Sequence, residues 1–231
     1  MEKKYELCKD DYINYGERIL YRIRSLRDVC YEDQIIVKAG TLGGYLEKES
    51  NLSQEGSSWV YNNAKVYDNA KVYEDAKVYG GVKVFGNAEV YDNAKVHGDT
   101  KVHGDAKVYD NAAVFENAEV SENAEVYEYA RVYDHAEVYG YAKVYNNAAV
   151  FENAEVYGYA EIYDNAKVYE NAEIFGGAEV YDDAEVYGNA KVYGDAEVYG
   201  NAKVYGDTKV HGDANVCDNA EVCDNAEVCL W

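Results

Sequence analysis

The residues best suited to acid–base, nucleophilic or metal chemistry are four histidines and five cysteines. His97, His103, His135 and His211 are scattered, while Cys217, Cys223 and Cys229 recur every six residues, far from Cys8 and Cys30. That spacing does not suit a tetrahedral zinc site, which takes C-x₂₋₄-C pairs. Five thiols are too few and too scattered for a disulfide scaffold, and the odd count points to a reducing compartment, so a cytoplasmic location is expected. A second set is acidic. Glu74, Asp92, Asp110, Glu128, Asp164 and Asp182 recur at multiples of 18 residues, a carboxylate file that a hard cation such as Ca²⁺ would relieve of its repulsion; solvated corners screened by salt are the plainer reading. A third set is aromatic: Tyr73, Tyr91, Tyr109, Tyr127, Tyr145, Tyr163, Tyr181 and Tyr199 follow one another at 18-residue intervals without a break. Such a file either shields the backbone beneath it or offers a strip to a partner, a sugar or another copy of the chain. No G-x-x-x-x-G-K loop, no G-x-G-x-x-G before a helix and no serine-centred nucleophile elbow is present. No resident cofactor is expected.

Composition removes further classes. The 231 residues carry 22 Lys+Arg against 44 Asp+Glu, a formal net charge of −22, so nucleic-acid phosphates and anionic lipid repel the chain. No apolar run reaches the ~18 residues a membrane helix needs. Met1-Glu2-Lys3-Lys4 lacks the apolar core of a signal peptide. Proline is absent, and 27 tyrosines accompany only four phenylalanines.

The elements that must position these residues come from a repeat. From Val60 to Val228 every sixth residue is Val or Ile, 29 positions in one phase. Two residues before each, from Val66 onward, stands Ala in 25 of 28 cases, with Val82, Thr100 and Thr208 as exceptions. Ala, charged, Val, aromatic is strict alternation, the pattern of a strand with one buried face; Ala and Val point inward, Lys/Glu and Tyr outward. The next two residues are turn formers, Gly, Asp, Asn or Glu. Period six does not keep one side of a 3.6-residue helix aligned, so helix is excluded. A strand of about four residues with a two-residue corner makes one side of a triangular coil. Three sides give an 18-residue rung, and residues 18 apart stack. About nine rungs from 60 to 228 make a prism roughly 45 Å long.

Aliphatic at one position with a small residue four further on resembles the hexapeptide repeat of left-handed β-helix proteins. The resemblance covers about three-quarters of the chain and implies the fold class: all-β, a single left-handed parallel β-helix of 18-residue triangular rungs, about nine to ten, with a small N-terminal cap. The left hand is taken from the resemblance alone. One departure is Tyr or Phe after the aliphatic residue, where the family often has Gly. Many hexapeptide-repeat proteins are trimeric acyltransferases and some are zinc carbonic anhydrases, with a histidine in a cleft between subunits beside a loop that interrupts the coil. Here no loop interrupts the repeat, no two histidines are 18 apart, and His97 and His103 fall on different faces. An inter-subunit site would still be open to such a chain.

Residues 1–58 do not repeat and read as an N-terminal cap and irregular first coil, with 59–231 as the β-helix. Leu20–Leu26 alternates like a strand, Ile35–Val37 reads as another, and Lys38–Gly44 as a glycine-rich turn. Leu46, Leu52 and Val60 slide into register. The segments 21–28 and 37–61 are similar to the opening of bacterial and phage hexapeptide-repeat proteins labelled transferases or polymer-forming proteins, names that reflect fold more than activity. The cap segment is near charge balance, 9 Lys+Arg against 11 Asp+Glu, so the repeat holds the acidic excess.

The outward columns number three. The first runs from Tyr61 through His97 to Cys223, the second from Tyr67 through His103 and Ser121 to Cys229, and the third from Tyr73 to Cys217. The three cysteines therefore belong to different faces. Lys65, Lys83 and Lys101 give way to Glu119, Glu137, Glu155 and Glu173 and then to Lys191 and Lys209 in one file, blocks that could set register between two copies. Thr100 and Thr208 face inward and make no ice-binding file. A rung without a polar cap, ending at Leu230-Trp231, is a template for pairing. The expected function is a structural or interaction rod that binds a protein partner or itself, with no nucleic acid and no membrane; the alternative is an acyltransferase-like enzyme with an inter-subunit site.

Overall fold

The computed structural model describes residues 2–230 and shows a parallel β-solenoid of about ten turns. Three parallel sheets form its sides. Face one stacks ten strands from Trp59–Val60 to Glu221–Val222. Face two carries the strands from Lys65–Val66 to Glu227–Leu230, and face three stacks nine from Lys71–Val72 to Asn215–Val216. Register is in steps of 18: Lys83 lies between Lys65 and Lys101, Val84 between Val66 and Val102. Most repeat strands span only two residues, the charged residue and Val, shorter than the four expected. The ladder nevertheless runs past them. Tyr67 N–H donates to Val84 O at 3.1 Å and Asn69 N–H to Gly86 O at 2.8 Å.

The core is a file of Val and Ala. Every aliphatic repeat position from Val60 to Val210 is fully buried, as is every small position from Ala64 to Ala214. Thr100 and Thr208 fit this interior because each hydroxyl donates to a carbonyl three residues back, His97 O at 2.7 Å and Tyr205 O at 2.6 Å. A buried hydroxyl without such a partner would be costly. Each buried Val contributes about 1.5–3 kcal/mol. A rung with three of them is thin alone, so stability is a property of the stack.

The N-terminal segment supplies five strands. β1 (Tyr5–Tyr15) and β2 (Arg18–Ser25) form an antiparallel hairpin, β3 (Val29–Tyr31) and β4 (Gln34–Val37) a second, and β5 (Leu42–Leu46) joins β2 to the solenoid. β5 pairs parallel with Lys65–Val66, so face two continues through β5, β2 and β1 to 13 strands. Leu46 lies under Val66, Leu52 bridges Val72 and Val60 lies under Val78, which makes these three the corners of an irregular first rung.

Two sequence expectations need correction here. β1 was not foreseen, because its apolar residues lose alternation where the register shifts between Cys8 and Tyr12. The glycine-rich stretch is not all turn: Gly40 has φ +83°, but Gly43 and Gly44 lie within β5. A Cβ at Gly43 would sit 2.5 Å from Val60 O, and one at Gly44 2.5 Å from Ala64 O. These glycines are there for close approach to the first rung rather than for bending the chain.

Candidate functional site: the laddered faces

The corner geometry comes first, since it aims everything outward. In each repeat the first corner residue, from Asn62 to Asp224, has a positive φ. Glycine and asparagine take this conformation readily, aspartate less so and glutamate seldom. Carboxylates occupy the position for a second reason. The Glu74 carboxylate accepts from Asp92 N–H at 3.0 Å, Glu128 from Asn146 N–H at 2.9 Å, and Asp182 from Gly200 N–H at 3.1 Å. Each of these three acids thus takes an amide of the next rung that donates to no ladder carbonyl. The second corner residues add side-chain ladders, as in Asn153, Asn171, Asn189 and Asp207, bonded at 3.3, 3.3 and 2.8 Å.

The file Glu74, Asp92, Asp110, Glu128, Asp164 and Asp182 runs along one edge as the spacing predicts, and the carboxylates of Glu74, Glu128, Asp164 and Asp182 are turned to amides or amide side chains. Asn146 Nδ2 donates to Asp164 at 2.8 Å. Among the described residues no three His, Cys, Asp or Glu side chains converge as a metal site. The Glu74 carboxyl is held above its usual range by its hydrogen bond with Asp92 and then by burial.

The columns are stacked rings. On face three, seven consecutive pairs from Tyr73–Tyr91 to Tyr181–Tyr199 lie 4.8–5.0 Å apart with interplanar angles of 1–8°. All eight tyrosines are half-buried. Beside them Lys and Glu alternate from Lys71 to Glu161, with Glu179 and Glu197 following, and a bonding unit repeats. The Glu89 carboxylate takes Lys71 Nζ at 3.0 Å and the Tyr73 hydroxyl at 3.0 Å. Glu125 takes Lys107 and Tyr109 at 3.1 and 3.3 Å, and Glu161 takes Lys143 and Tyr145 at 2.7 and 3.0 Å. Against the pull of burial, Lys71 and Tyr73 hold the Glu89 carboxyl below its usual range. Burial, then neighbouring carboxylates, pushes Tyr91 and Tyr127 up to about 12. Single residue types did not announce this unit; its signal was the 16-residue offset from Tyr to Glu that accompanies the 18-residue Lys–Glu offset.

The four histidines do not come together. His97 is stacked between Tyr79 and Phe115 at 5.1 and 5.0 Å, and burial, then Lys95, lowers its pKa. His103 stacks on Phe85 at 4.6 Å and its Nε2 meets Glu119 Oε1 at 2.7 Å. His211 stacks on Tyr193 and meets Glu227 at 3.0 Å, and His135 stands exposed at a corner. His103, Glu119 and Ser121 share face two, as the column arithmetic places them, and the His103–Glu119 contact is added by the structure. Ser121 is next to His103 in the column, so it lies along the face of the stacked imidazole rather than in the ring plane. A serine nucleophile needs its base's nitrogen in plane, at hydrogen-bond distance.

Cys217 and Cys223 follow strands of faces three and one, Cys229 lies within the last strand of face two, and all are free thiols. They end the three columns and do not converge. Trp231 lies outside the described residues. No helix is long and apolar enough to cross a membrane among the described residues. Compared with protein-family profiles and with curated proteins, the chain matches none.

Proposed function

We propose that this chain is a structural or interaction solenoid, a rigid acidic rod that binds a protein partner or another copy of itself through its laddered faces. The observation that carries this reading is the uninterrupted ladder: rings stack along face three for eight rungs while their hydroxyls and the adjacent carboxylates bond to each other. An aromatic, regularly charged and pre-ordered surface loses little conformational entropy when a partner docks. The left hand, the hexapeptide-repeat membership, the capping role of 1–58 and a cytoplasmic location belong to the same reading.

A second reading, an acyltransferase-like enzyme with an inter-subunit site, is favoured by the 2.7 Å contact between His103 and Glu119, since a carboxylate orients and strengthens an imidazole base. Molar mass by light scattering across concentration separates the two. A rod that self-associates or stays a monomer, with behaviour unchanged on His103→Ala, supports the interaction reading. A closed trimer that is stabilised by an acyl donor and loses that response on His103→Ala supports the enzyme.

A further inference from the structure

Face two differs from face three in how its charges are ordered. On face three Lys71, Glu89, Lys107, Glu125, Lys143 and Glu161 alternate, and each lysine is ion-paired one rung on at 2.7–3.1 Å. On face two the charges are segregated: Lys65, Lys83 and Lys101, then Glu119, Glu137, Glu155 and Glu173, then Lys191 and Lys209. Ion pairs within the chain form where blocks meet, Lys101 with Glu119 at 2.6 Å and Lys191 with Glu173 at 2.7 Å. The block interiors are unmatched. Among the described residues neither Lys83 nor Glu137 makes an ion pair or side-chain hydrogen bond, and Glu137 is exposed between two like charges. Burial, then Glu119 and Glu155, holds the Glu137 carboxyl above its usual range.

We infer that face two packs against face two of a second copy, the rods antiparallel about a two-fold axis that runs parallel to the strands between the rungs of Lys101 and Glu119. The inference rests on the self-association arm of the function proposed above. Such an axis keeps each outward column opposite itself and reverses the order of rungs. Lys83 then meets Glu137 of the second copy and Lys101 meets Glu119. The two lysines left open by the hairpin are matched by two glutamates, and Lys83 and Glu137, neither of which has a partner within the chain among the described residues, find one another.

The aromatic column supplies an independent observation. Its rings are stacked from Tyr67 through Phe85 to His103 and again from Tyr139 to His211, with one gap at the small, nearly buried Ser121. In the same arrangement the gap at Ser121 lies opposite His103 of the second copy, next to the axis, and gives that imidazole room, while Phe85 faces Tyr139 one rung out. The hairpin limits the overlap: Tyr15 stands edge-on to Tyr67 at 5.5 Å and Arg18 pairs with Asp68, so the first rung is already occupied. The four rungs left to face one another span about 19 Å, which places the contact among small, transient interfaces. Its charge pairing makes it salt-sensitive.

Sedimentation velocity of the full chain over a wide concentration range, at low and high salt, tests this. A dimer at low salt that weakens as salt rises is expected. Lys83→Glu and Glu137→Lys should each weaken it about tenfold or more, because two symmetry-related pairs become repulsive. The double swap, Lys83→Glu with Glu137→Lys, should return affinity to within about threefold of the original, which also guards against a misfolded single variant. Lys71→Glu on face three should leave association unchanged. A chain that stays monomeric throughout overturns the inference and the self-association arm together, leaving the partner arm. Association indifferent to the charge reversals overturns the inference alone.

Discussion

The first corner residues carry the chain's largest local tension. All of them, from Asn62 to Asp224, are held at positive φ, and six are glutamates: Glu74, Glu116, Glu122, Glu128, Glu152 and Glu170. A left-handed residue with a Cβ costs about 1–2 kcal/mol relative to glycine's freedom, and asparagine tolerates it best after glycine. Glu74 and Glu128 recover part of that by accepting an amide of the next rung, whereas Glu122, at φ +59°, makes no such bond. Glu122→Asn is therefore expected to stabilise the protein by about 1 kcal/mol, seen as a raised melting temperature; a fall would mean that the exposed carboxylate contributes more than its backbone strain costs. Lys4 is the other tense residue. It is fully buried, with Nζ bonded to Ser58 O at 2.9 Å and Glu55 O at 3.0 Å. Burial and then Arg27 lower its pKa to about 7, with Asp75 opposing. A lysine whose folded pKa lies below its unfolded one penalises folding most near and below pH 7, and the penalty fades as pH rises toward the ordinary lysine value. The hairpin should accordingly gain stability on the order of a few kcal/mol between pH 7 and 10. Hydrogen exchange of β1 and β2 amides would show it, and Lys4→Met should abolish the trend while leaving Glu55 O and Ser58 O without their donor.

At the scale of the element, the strand-plus-corner unit was legible because Val60–Val228 never loses phase and because alternation assigns each side chain to a face. The columns and the separation of Cys217, Cys223 and Cys229 onto different faces followed from that arithmetic. What did not follow was anything set by contact rather than period: the register shift in β1, the glycines of β5 that approach Val60 and Ala64, and the corner carboxylates that accept an amide of the next rung. The face-three ladder has its own testable energetics. Tyr127 stacks on Tyr109 and Tyr145 at 4.9 Å each, so Tyr127→Ala should cost about 1–3 kcal/mol from two lost ring pairs. Because burial raises the ladder phenols, their contribution is fully present below the ordinary tyrosine pKa and is lost as pH climbs through about 12. Tyrosinate absorbance followed alongside circular dichroism should show ladder ionisation coinciding with a steep alkaline unfolding. Ionisation completed well before unfolding would mean that the stacked phenols are not shielded.

For the whole molecule, an uninterrupted 18-residue period makes length a free variable. Each rung contacts only the rungs above and below, as Val84 does with Val66 and Val102, so stability is a sum of nearest-neighbour terms. Excision of 18 residues, 137–154, brings the Glu119 rung directly against the Glu155 rung with every Val, Ala and column in place. The shortened rod should fold with a melting temperature within a few degrees of the full chain, since its interior contacts are of the same kind. Excision of six, 137–142, also keeps Ala and Val inward, but rotates every later residue onto a different face. It would set Glu119 under Lys143, and Glu125 would meet Ala149 in place of its present partner Lys143, scrambling the files at the junction rather than the core. Excision of three residues, 137–139, would instead place corner residues such as Asn147 in the Val slots and rings such as Tyr145 and Phe151 in the Ala slots, and should prevent stacking beyond that point. Melting temperatures ordered as full chain, close to minus 18, then minus 6, with minus 3 failing to fold cooperatively, would assign stability to the core files first and the surface ladders second. Equal loss for the deletions of 18 and six would remove the ladders on the outer faces from the energetics of the stack and leave Val and Ala to hold it.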